Sequence, residues 1–160
     1  MIKIHFYSAK WYLPLGTLIK TKTNSRFSHC AIELPHDNII RHSRIGSGVM
    51  HDLNHNTKPT KTLFLPFDEK SKKGKNFIKL LDSKEGCGYD YLALFFGCWG
   101  KKIHDKDRYL CSEFCSLYIT EYLNIVPDIK TIFVPKDLYL FLRGYIKGYN
   151  QIKNHADNAG

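Results

Sequence analysis

The hydrophobic spacing changes once along the chain, and that change limits the possible folds more than any other feature. Up to about residue 66 the apolar residues recur at every second position in short runs. Beyond it they recur at helical spacing. A period of two marks half-buried strands and a period of 3.6 marks amphipathic helices. Strands gathered early and helices late predict an α+β domain, an antiparallel sheet with helices packed against it. With 160 residues the chain has room for one such core. We place the domain at residues 1–148 and a polar C-terminal tail at 149–160.

In the first half, Ile2, Ile4 and Phe6 share one face of a strand, with Lys3, His5 and Tyr7 on the other. A short helix is expected at Leu13–Lys20, followed by a loop to Ser28. His29–Leu34 reads as a strand, Pro35–Asn38 as a tight turn, and Ile39–Ser43 as the antiparallel partner. Gly46-Ser-Gly48 turns the chain into Val49–Asp52, and Lys61–Pro66 is a further strand. In the second half, helices are expected from Asp68 to Leu81, around Tyr91–Phe96, from Cys111 to Leu123, and from Pro135.

Composition excludes several classes of function. No apolar run reaches the roughly 18 residues of a membrane span, and the alternating start lacks the apolar stretch of an export signal. Five cysteines, an odd number at irregular spacing, make a poor disulfide framework, so a reducing cytoplasm is the expected setting. They contain no Cys-x-x-Cys pair, so no zinc site and no cofactor are expected. A net charge of +9 favours anionic partners. The five lysines of Lys70–Lys79 suit a solvated helix face better than a nucleic-acid stripe, because they lack the aromatic interleaving that single-strand binders use.

Cys111 follows a charged loop and opens a helix. A thiol there should have a lowered pKa, and the adjacent amides suit an oxyanion. The alternative is an inert, half-buried cysteine. A nucleophilic cysteine needs a base, and the base needs an orienting group. His29 begins a strand where its ring can face a cleft. His42, across the hairpin, can hold that ring, and Glu33, four residues beyond His29, is the alternative orienter.

The order of these pieces resembles the circularly permuted NlpC/P60 group of papain-like cysteine hydrolases, in particular YiiX-like proteins and short bacteriophage versions. The residues that carry the resemblance are Phe6-Tyr7, Arg26-Phe-Ser-His29-Cys-Ala-Ile-Glu33, Gly46-Ser-Gly-Val49, Gly88-Tyr-Asp-Tyr91 and Tyr109-Leu-Cys111-Ser-Glu-Phe114. It covers about residues 1–145. It implies a permuted papain-like fold, with Cys111 as nucleophile, His29 as general base and His42, or else Glu33, as third member. It also implies Tyr89 and Asp90 at the substrate cleft and cleavage of amide or ester bonds, with peptidoglycan stem peptides as the family's usual target. Two other functions fit parts of the sequence. One is a lipid acyltransferase or thioesterase of the same fold, using an apolar channel from Leu92–Phe96 and Trp99. The other is a non-catalytic basic phage protein that binds a host component or nucleic acid.

Overall fold

The computed structural model describes residues 1–8, 17, 20–21, 24–35, 37–53, 55–92, 107–125 and 134–158. Five strands, β1 (Ile2–Tyr7), β2 (His29–Glu33), β3 (Ile40–Arg44), β4 (Gly48–Asp52) and β5 (Lys61–Leu65), form an antiparallel sheet in the order β4-β3-β2-β1-β5. Among the described residues, helices α1 (Lys72–Ser83), α2 (Cys111–Leu117) and α3 (Pro135–Asn158) follow. The α+β expectation and the early hairpins therefore hold at this level. The expected helix at Leu13–Lys20 and most of that at Tyr91–Phe96 lie outside the described residues.

Alternation in the strands sorts the side chains. Ile2, Ile4 and Phe6 of β1, Cys30 and Ile32 of β2, and Leu65 of β5 point to one face, where they are fully buried. Phe77 and Leu81 of α1, Phe114 and Cys115 of α2, and Leu138 and Leu142 of α3 complete that core. The other face is polar. Pairing of Lys3 with Glu33, His5 with Ala31 and Tyr7 with His29 puts this second set side by side.

Local chemistry sets the helix ends. α1 starts at Lys72 rather than Asp68, because Ser71 caps it by accepting from the Gly74 N–H at 2.9 Å. Asp68 instead accepts from the Lys70 N–H and the Ser71 hydroxyl in the turn before. The lysines at 70, 72, 73, 75 and 79 are exposed, a solvated face. α2 runs into a π-helical turn at Tyr118–Tyr122, where the Leu123 N–H reaches back to the Tyr118 carbonyl at 2.9 Å. α3 continues to Asn158, through the segment expected as a polar tail. Among the described residues, no helix is long and apolar enough to cross a membrane.

Two short strands, β6 (Gly88–Tyr89) and β7 (Arg108–Tyr109), pair in parallel, and sequence reasoning did not foresee them. They carry the chain into α2. Gly48 docks β4 against them: its φ is +71°, and a Cβ there would stand 2.1 Å from the Cys87 carbonyl oxygen. The Val49 N–H donates to that same carbonyl at 2.7 Å.

Candidate functional site

Cys111 is the first residue of α2, and two contacts aim it. The Ser43 hydroxyl of β3 donates to the Tyr109 carbonyl, which fixes the chain two residues before the cysteine. Glu113 turns back to accept from the Leu110 N–H at 2.8 Å, satisfying an amide at the helix start. Capping accounts for Glu113. The sulfur then lies beside the first two residues of β2, His29 and Cys30.

His29 is half-buried, and its Nε2 is 2.8 Å from Nδ1 of His42. The two rings cross at 66° with centroids 5.0 Å apart. His42 sits on β3, diagonally across the hairpin from His29, and is 1% exposed. Burial, and after it the positive potential of His55, pushes its pKa down to about 4. It is therefore a neutral imidazole at pH 7. Tyr7 packs against His29 with ring centroids 5.7 Å apart and walls the pair on one side.

The thiol of Cys111 departs from expectation. A hydrogen bond with Cys30 first, and burial second, raise its pKa well above that of a free cysteine. The charge and hydrogen bonding of His29 oppose them without prevailing. The helix-start position does not win because Cys30, buried in the core, also lies against the sulfur. Cys115, one turn on, is fully buried and raised by burial. Cys30, Cys87, Cys111 and Cys115 are all free thiols.

The alternative orienter, Glu33, does not reach His29. Its carboxylate pairs with Lys3 and, at 2.8 Å, with Nε2 of His5, whose Nδ1 lies 2.9 Å from the Thr62 hydroxyl. This is a separate polar group further along the same face. Tyr89 is buried against Leu110 and Ile45, with its ring 5.1 Å from that of Tyr91. Burial raises its phenol pKa, and it lies close enough to Cys111 to feel that group's charge. Asp90 is fully buried, and its N–H donates to the Tyr109 carbonyl at 3.4 Å. Both residues thus support the entry to α2 from within.

Sequence reasoning missed His55 and Asp52. Nδ1 of His55 lies 3.1 Å from a carboxylate oxygen of Asp52 at the end of β4, and its ring stands edge-on to His42 with centroids 5.3 Å apart. The available signal was β3–β4 pairing, which aligns Ile40 with Asp52 and His42 with Met50. It brings the end of β4 beside His42, but His55 belongs to a loop no pattern positions.

Compared with known proteins, the chain matches no family model and no curated relative.

Proposed function

We propose that the chain is a cysteine-dependent hydrolase of amide or ester bonds, of the permuted NlpC/P60 kind that its motifs resemble. The observation that carries this reading is the meeting of Cys111, His29 and His42, drawn from distant parts of the chain. His29 Nε2–H donates to Nδ1 of the neutral His42, which leaves His29 Nδ1 with its lone pair for the thiol. A thiol of raised pKa starts protonated, so the proton moves to His29 as the sulfur attacks. The new S–C bond gives a tetrahedral oxyanion, for which the Cys111 N–H is a donor. The imidazolium, steadied by His42, returns the proton to the departing amine or alcohol, leaving a thioester. Water, deprotonated by His29, then cleaves the thioester and regenerates the thiol. A peptide of the bacterial cell wall is the substrate class the resemblance favours.

The test is labelling by a thiol-directed acyl probe at pH 7, read by peptide mass spectrometry. Cys111 should label first, and His29→Ala should slow it by about 10²–10⁴-fold, the usual share of a general base. Equal labelling of Cys87 and Cys111, indifferent to His29, would refute the proposal. Turnover of purified peptidoglycan beside a panel of small amides and esters then identifies the bond cleaved.

A further inference from the structure

The hydrolytic reading leaves one polar cluster unused. His42, Asp52 and His55 each offer a ligand atom, and the three atoms lie within 4.8 Å of one another. Nδ1 of His42 is taken by His29, so Nε2 is the nitrogen His42 has to offer. That Nε2 is buried and has no hydrogen-bond partner among the described residues, on a side chain only 1% exposed. The Nε2 of His55 is buried and unpartnered in the same way. Two orphaned imidazole nitrogens beside a carboxylate are costly to bury unless something binds them.

We propose that His42, Asp52 and His55 form a site for a divalent transition metal ion such as zinc, and that filling it silences Cys111. Two imidazoles and a carboxylate suit zinc, with the fourth position left to water. The edges of a zinc tetrahedron are about 3.3 Å. Asp52 and His55 are only partly buried, so turning their side chains closes the remaining gap.

The silencing follows from proton bookkeeping and rests on the proposed catalytic role of His29. A metal on Nε2 of His42 forces the remaining proton onto Nδ1, which then donates to Nε2 of His29. The hydrogen bond reverses. The neutral form of His29 must then carry its own proton on Nδ1, the nitrogen that the proposed mechanism gives to the thiol, and cannot accept another there. Protonating Nε2 as well would set two N–H groups against each other.

The experiment titrates Zn(II) into chelator-stripped protein by calorimetry and Co(II) by visible absorption. One ion should bind per chain, at least about tenfold more weakly in His55→Ala and in the conservative Asp52→Asn. His51→Ala, whose ring pairs with Glu85 instead, should bind as the wild type does. Cys111→Ser should also keep the site, since the thiol is not a ligand. Zinc should slow acyl-probe labelling of Cys111 in the wild type and leave it unchanged in His55→Ala. Binding indifferent to both His55→Ala and Asp52→Asn, binding lost in Cys111→Ser, or zinc bound without slower labelling would each overturn the proposal. Failure of the hydrolase reading looks different: labelling in chelator would ignore His29 while the isotherm stayed intact.

Discussion

Cys30 is the residue whose replacement should most improve the reactivity of Cys111. Its thiol supplies the largest influence raising the Cys111 pKa and, through its charge, the third largest. Cys30→Ala removes both and leaves burial alone against the pull of His29. Well below the pKa, each tenfold gain in thiolate comes with about a threefold loss of intrinsic nucleophilicity, because a more acidic thiol attacks more weakly. The net gain is therefore about threefold in rate for each such step. The small void left in the core costs about 1 kcal/mol, so the variant should remain folded. The assay follows iodoacetamide alkylation of Cys111 across pH by peptide mass spectrometry, with Cys87 as internal reference. The apparent pKa should fall and the rate at pH 7 should rise, by about threefold for each tenfold gain in thiolate. An unchanged or higher pKa in a folded Cys30→Ala protein would show that burial, not the neighbouring thiol, restrains the sulfur.

In chelator, His42 should make the protein acid-sensitive. Its folded pKa of about 4 lies below the ordinary 6.5, so the unfolded chain binds the extra proton first. Stability is then full above pH 6.5 and falls by about 3 kcal/mol as pH drops to 4, a slope that urea midpoints should show and His42→Gln should flatten. Ser43→Ala removes the hydroxyl that holds the Tyr109 carbonyl, and should cost about 1 kcal/mol in chemical denaturation while slowing Cys111 labelling. Gly48→Ala forces a side chain into positive φ and onto the Cys87 carbonyl, and should lower stability by at least about 2 kcal/mol. A Gly48→Ala melting curve like the wild type's would refute the close approach of β4 to β6.

The strands were legible in the sequence because their alternation is strict. Ile2, Ile4 and Phe6 are all in the core, and His5 and Tyr7 share the opposite face with His29. The hairpin spacing was enough to set His42 beside His29, since a short turn fixes which residues meet across it. Glu33 was misjudged because periodicity reports a shared face but not a nearer partner, and Lys3 and His5 on β1 intervene. The thiol's pKa was misread for a similar reason: a helix start is visible in one segment, whereas the Cys30 contact joins two. β6 and β7 have two residues each, too few for any period to register. The end of α3 was missed because helical hydrogen bonding continues past Tyr149, where the apolar stripe thins out and Ile152 is exposed.

Neighbouring residues of β3 serve opposite sides of the sheet: His42 holds His29, and Ser43 anchors the segment leading to Cys111. Adding or deleting one residue in the Pro35–Asn38 turn would exchange their orientations, so both supports would vanish together. Length variation in that turn should thus abolish Cys111 reactivity outright, whereas Pro35→Ala, which keeps the length, the Asp37–Arg41 pair and the positive φ of Asn38, should be well tolerated.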